Sequence, residues 1–134
     1  MIFPFEFSSI PKIIFGPGKL SELYKIIPDF GENVLIVTGE YSLKKSGVLG
    51  KIYENLTKIG IKYNQVSVSG EPSPSLIDST ASENRDKEID LVIGIGGGSV
   101  TDAGKAISAM IPHQDSIINY LEGIGTKKTD GEKI

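Results

Sequence analysis

The spacing of apolar residues changes repeatedly along this chain, and each change marks an element. Phe5, Phe7 and Ile10 alternate with Glu6 and Ser8-Ser9; Pro11 interrupts, Ile13-Ile14-Phe15 follows, and Gly16-Pro17-Gly18 closes the stretch as a turn. This pattern predicts a pair of short strands, an N-terminal β-hairpin, from Phe5 to Phe15. Leu20, Leu23, Tyr24 and Ile27 then share one face of a helix that Pro28 should stop. Val34-Leu35-Ile36-Val37 is short, continuous and rich in β-branched residues, as in a strand buried on both faces, and Thr38-Gly39 ends it. Leu49, Ile52, Tyr53 and Leu56 form the inner face of a second helix, with Gly60 as its stop. Tyr63 to Val68 reads as a strand and Gly70-Glu71-Pro72-Ser73-Pro74 as a loop, in which Ser73 caps a helix and Pro74 occupies its first turn. That helix is weakly amphipathic and runs out in the charged stretch from Glu83 to Glu88. Leu91-Val92-Ile93 is another buried-strand run. The glycines from Gly94 to Gly98 follow it, then a helix from about Val100 to Met110, then a short helix over Ile117, Ile118 and Leu121 that Asp115 can cap.

Strands and helices alternate at the spacing of βαβ units. The fold class is therefore α/β: a Rossmann-like parallel sheet with helices on both faces, preceded by the N-terminal hairpin. Such sheets hold ligands at the carboxyl ends of their strands. Gly39 and the Gly94–Ser99 segment both stand at such ends.

Composition narrows the picture. The chain has 134 residues, enough for one domain with a real core, and its 39% hydrophobic and 23% charged residues are an ordinary globular balance. A net charge of −3 argues against nonspecific binding of nucleic acid. With no cysteine there is no disulfide framework, thiolate metal site or cysteine nucleophile. The N-terminus lacks the cationic and apolar regions of a signal peptide, and no apolar run approaches the roughly 20 residues that span a bilayer. The expectation is a cytoplasmic protein without membrane or nucleic-acid partners.

The glycine segment carries the chemistry. A strand running through glycines into a helix lets backbone approach a ligand closely, permits positive φ, and presents unpaired N–H groups at the positive end of a helix dipole. A pyrophosphate answers all of these features. Neither standard spelling fits, however. Ser99 stands where G-x-G-x-x-G needs its third glycine, and Ser99 and Ala106 break the P-loop pattern around Gly104-Lys105. A tight strand-to-helix turn would also explain glycines, although three in succession carry a large entropic cost for a turn alone. Ser99 and Asp102, spaced as Ser-x-x-Asp before an apolar run, read as a capping box that also faces the site. Lys105 reads as a solvated helix residue and His113, after Pro112, as a surface residue.

The run Gly96-Gly97-Gly98-Ser99-Val100-Thr101-Asp102-Ala103-Gly104-Lys105 resembles the G-G-G-S-x-x-D-x-A-K signature of the iron-containing (group III) alcohol dehydrogenases, with Gly104 in place of alanine. Ile13 to Gly18 resembles the family's early strand and turn, Val34 to Gly39 its next strand, Pro72-Ser73-Pro74-Ser75 its P-N-P-T loop, and Asp115 to Gly123 its short helix. The resemblance implies a two-domain enzyme that moves hydride between an alcohol or aldehyde and NAD(P). A divalent ion, Fe2+ or Zn2+, is held by one aspartate and three histidines in a C-terminal helical domain. No stretch of this chain matches that domain. Residues 1–134 are thus expected to form one NAD(P)-binding domain, a truncated form of the parent enzyme, with neither catalytic residues nor metal ligands. Alone it should bind nucleotide and not turn over substrate. A homodimer formed through the N-terminal strands is implied for the full-length enzyme. Two other readings stay open: a glycerol dehydrogenase or dehydroquinate synthase on the same scaffold, against which Ser99 speaks, and a stand-alone nucleotide-binding module.

The cofactor-binding set expected from this resemblance and the sheet-edge argument is Gly39, Ser42, Ser73, Gly96, Gly97, Gly98, Ser99 and Asp102. Gly39 bears on which cofactor. An acid at the end of this strand would accept from the ribose 2′-OH of NAD and repel the 2′-phosphate of NADP. Gly39 removes that barrier, and Ser42, Lys44 and Lys45 are close enough to supply donors, so NADP is favoured over NAD, although Glu40 argues the other way.

Overall fold

The computed structural model describes residues 11–129, 131 and 134. Residues 1–10, which carry most of the expected hairpin, lie outside the described residues, and 11–15 form no strand. Among the described residues three parallel strands, β1 (Asn33–Gly39), β2 (Lys62–Val68) and β3 (Leu91–Ile95), form one sheet in the order β2-β1-β3. β1 is central, and its burial follows from its sequence. Val34 and Ile36 point to one face, Leu35 and Val37 to the other, and all four are 0–1% exposed.

Each face takes its own helices. Val34 and Ile36 pack with Ile52 and Leu56 of α3 (Val48–Lys58) and with Ile27. Leu35 and Val37 pack with Ile77 and Ala81 of α4 (Pro74–Asn84) and with Val100, Ala103, Ile107 and Met110 of α5 (Gly98–Met110). The stop of α3 is as expected, with Gly60 at φ 78° just beyond it. So is the start of α4, where Ser73 Oγ accepts from the Leu76 N–H at 3.2 Å and Pro74 opens the helix. The first helical segment is less regular. A single α-helical turn, α1 (Leu23–Ile26), lies between 3-10 turns at Lys19–Glu22 and Ile27–Asp29. Pro28 does not end the helix. It sits at the start of the last 3-10 turn, where a missing N–H costs nothing.

The glycine at 104 has a packing consequence. α5 lies close on β3, and a Cβ on Gly104 would stand 3.6 Å from Gly94 Cα, an ordinary contact. Alanine therefore fits. Gly104→Ala is expected to raise stability by roughly 0.5–1 kcal/mol through helix propensity and a less flexible unfolded chain. A thermal melt checks this, and a lower midpoint would show that α5 has no room to spare.

After α5 the chain closes differently from expectation. The last helical element is a 3-10 turn, Ile117–Tyr120, and its cap is Ser116, whose Oγ accepts from the Ile118 N–H, not Asp115. Asp78 on α4 holds Ser116 and the Ile117 N–H. Asp115 is occupied elsewhere. Its carboxylate takes Lys127 Nζ at 2.8 Å, Tyr120 OH at 3.1 Å and Asn119 Nδ2 at 3.2 Å. The Lys127 ammonium, seconded by Asn119 and Tyr120, holds the Asp115 carboxyl well below the usual carboxylate range against the opposing effect of desolvation, and Asp115 in turn raises the Lys127 pKa. A depressed carboxyl stabilises the fold above its unfolded pKa and stops doing so as pH falls through the folded one; a raised lysine loses its contribution as pH rises through its folded value. The tie is thus intact at neutral pH and released in acid. Asp115→Asn is expected to speed amide exchange at Gly125 and Lys127, whose N–H groups bond Leu121 and Asn119, and to leave β1 unchanged. Equal exchange in the two proteins would show that Asp115 does not hold this loop. His113, expected at the surface, is half-buried, and its ring lies 5.5 Å from that of Tyr120. No helix among the described residues is long and apolar enough to cross a membrane.

Candidate functional site at the carboxyl edge of the sheet

The strand register brings the expected loops together. Thr38 stands beside Ile95 and Gly39 beside Val68, so the loops after all three strands leave from one edge. A Cβ on Gly39 would lie 3.8 Å from Val100 Cγ2, which places the end of β1 against the first turn of α5. Ser42 begins α2 (Ser42–Lys45) three residues beyond Gly39, and Ser73 begins α4 beyond β2.

The glycines are not equivalent. A Cβ at Gly96 would come within 2.7–2.8 Å of the Val100 side chain, and one at Gly94 within 3.4 Å of the Val100 carbonyl. Packing of α5 on β3 therefore accounts for both. Gly97 and Gly98 have nothing within 4 Å of where a Cβ would be. None of the four takes a positive φ. Gly97 is in an extended conformation, φ −81° and ψ −166°, that any residue adopts. The fold itself therefore does not require glycine at 97 or 98. Both border open space at the start of a helix.

The capping box does not form. Thr101 N–H bonds the Gly97 carbonyl at 3.1 Å, which makes Gly97 the N-cap and puts Ser99 inside the first turn. Thr101 Oγ1 donates to the Gly98 carbonyl at 2.8 Å, and no side chain caps the helix. Asp102 falls in the second turn, 68% exposed, 3.6 Å from Lys105 Nζ. Of the expected residues, Gly39, Gly97, Gly98 and Ser99 stand together at the carboxyl edge of the sheet, Ser73 serves its own helix, and Asp102 points to solvent. Glu71 was not singled out from sequence, yet Ser99 Oγ donates to its Oε1 at 3.4 Å. Its place in the loop after β2, next to Pro72, was the available signal. A groove of about 440 Å3 runs along β3 and α5, lined by Val92, Gly94, Thr101, Gly104, Lys105, Ser108 and Ile134, and none of Gly96 to Ser99 lines it. Among the described residues no group of three or more His, Cys, Asp or Glu side chains could hold a metal ion.

Known proteins resemble this chain in sequence and fold. The chain is 34% identical over 106 residues to the probable NADH-dependent butanol dehydrogenase 1 of Bacillus subtilis, covering 78% of this chain and 27% of that protein. It is 31% identical over 111 residues to the NADPH-dependent butanol dehydrogenase of Clostridium saccharobutylicum, covering 82% and 28%. The crystal structure of NADH-dependent butanol dehydrogenase A from Thermotoga maritima superposes with a TM-score of 0.79 at 31% identity, over 87% of this chain and 30% of that one. The chain thus spans under a third of the length of these relatives. The family model for iron-containing alcohol dehydrogenase matches residues 11–133, from before α1 through the sheet, the glycine turn and the closing loop. With the family model matching nearly its whole length, the chain belongs to the iron-containing alcohol dehydrogenase family.

Proposed function

We propose that residues 1–134 are the nucleotide-binding part of an NAD(P)-dependent alcohol dehydrogenase, and that the cofactor pyrophosphate lies on Gly97, Gly98 and Ser99 at the start of α5. One observation carries the reading. Gly97 and Gly98 are glycine although neither packing nor backbone conformation calls for it, and the space a side chain would fill is open. A phosphate there meets uncapped N–H groups, the positive end of the α5 dipole and the Ser99 hydroxyl. Gly96 serves by holding α5 close. Gly39 and the start of α2 at Ser42 lie toward the adenosine ribose, and without an acid at 39 the 2′-phosphate of NADP is accepted as well as the 2′-OH of NAD. Ser73 and Asp102 contribute through the helices they stand on, not by touching the nucleotide.

The nicotinamide, when bound, supplies a hydride acceptor or donor for an alcohol–aldehyde pair. This chain orients the dinucleotide and fixes its phosphates; no metal-dependent step is assigned to its residues. Titration with NADH and with NADPH, followed by nucleotide fluorescence, tests the reading. Saturable binding of both is expected, with inorganic pyrophosphate as a competitor. No binding at millimolar nucleotide would overturn it.

A further inference from the structure

We propose that Glu71 is a resident anion of the nucleotide site: its carboxylate occupies the Ser99 hydroxyl between cofactors and is displaced by the incoming pyrophosphate. This rests on the reading that the pyrophosphate lies at the start of α5. The two helices that begin at this edge are served differently. α4 is capped by its own Ser73, whereas α5 has no side-chain cap and opens on a glycine. α4 and α5 lie on the same face of the sheet and both follow the carboxyl ends of strands, so their positive dipole ends are on the same side. The carboxylate that meets this edge is that of Glu71, bonded to Ser99 Oγ at 3.4 Å. Glu71 is exposed, so leaving Ser99 returns it to water at little cost. A phosphate and this carboxylate cannot both take the one Ser99 proton, and like charges at that distance repel. Glu71 therefore competes for the Ser99 hydroxyl, lowers affinity for the cofactor and speeds its exit. Product release limits turnover in many enzymes, and a displaceable internal anion suits that need.

The test is Glu71→Gln, which keeps the shape and an acceptor oxygen for Ser99 while removing the charge. NADH, NADPH and inorganic pyrophosphate are titrated against both proteins at low and high salt. The Gln variant is expected to bind all three roughly 3- to 5-fold more tightly at low ionic strength, with the NADH-to-NADPH ratio unchanged and the gain shrinking as salt rises. Unchanged or weaker binding by the variant overturns the inference and leaves the pyrophosphate site standing. Failure of both proteins to bind any of the three overturns the site and the inference together.

Discussion

Gly97→Val is expected to fold as the parent chain does and to lose nucleotide affinity by a factor of at least about 100. The backbone at 97 is extended, where a β-branched residue is at ease, and nothing of the protein lies within 4 Å of the new Cβ. Stability should therefore hardly move. The valine methyls would instead fill the space against the first turn of α5, and a pyrophosphate kept away loses two or more charge-assisted hydrogen bonds of roughly 1.5–3 kcal/mol each. A thermal melt and an NADH titration on the same preparation separate the two effects. Gly96→Ala is the contrasting control, since its Cβ strikes the Val100 side chain and should lower the melting temperature itself. Undiminished affinity in a well-folded Gly97→Val chain would remove the pyrophosphate from this place.

Gly39→Asp should reverse any acceptance of NADPH while sparing NADH. The site tolerates a side chain, because a Cβ there makes only an ordinary contact with Val100 and the backbone is not left-handed. An aspartate at the end of β1 can accept from a ribose 2′-OH but faces a 2′-phosphate with like charge. Such juxtapositions cost several kcal/mol when buried; at this half-exposed edge about 2–3 kcal/mol, or roughly 30- to 150-fold in relative affinity, is expected. Parallel titrations with the two reduced cofactors give the ratio. If it does not change, the ribose lies elsewhere. The Glu71 and Gly39 variants are complementary, because the first should scale both affinities together and the second should split them.

Much of this architecture was legible in the sequence because its signals are local. The β-branched run around Ile36 could only be a buried strand, the Leu49–Leu56 spacing fixed the inner face of α3, and Ser73-Pro74 spelled a helix start. What stayed hidden depended on partners remote in sequence or on a choice among equals. Ser99-x-x-Asp102 has the letters of a capping box, but three glycines before it carry no preference for where the helix begins, and the Thr101–Gly97 bond settled the start one residue before Ser99. Asp115 and Ser116 are both good caps; Asp78, 38 residues away from Ser116, selects the serine, and Lys127 claims the aspartate. The sequence also offers no way to tell one glycine of the segment from another. Only the approach of α5 to β3 separates Gly94 and Gly96, which are held by packing, from Gly97 and Gly98, which face open space. Glu71 was missed for the same reason, since its meeting with Ser99 exists only once β2 and β3 flank β1.

The placement of α4 and α5 on one face of the sheet also sets the direction in which it can grow. The crossover from β1 to β2 passes over the α3 face, and the crossover from β2 to β3 returns over the other, so the two share a hand, which in such units is right-handed almost without exception. With α5 on the α4 face, a right-handed connection out of α5 could deliver a parallel strand only to the outer edge of β3, which no strand among the described residues pairs and where Ile134 bonds Ser108 and packs on the core. Such a strand would cover the groove along Val92 and Gly94 and turn β3 from a margin into an interior strand. The glycine turn, now at the rim, would then stand near the middle of the widened sheet, at the point where the chain reverses its order of winding.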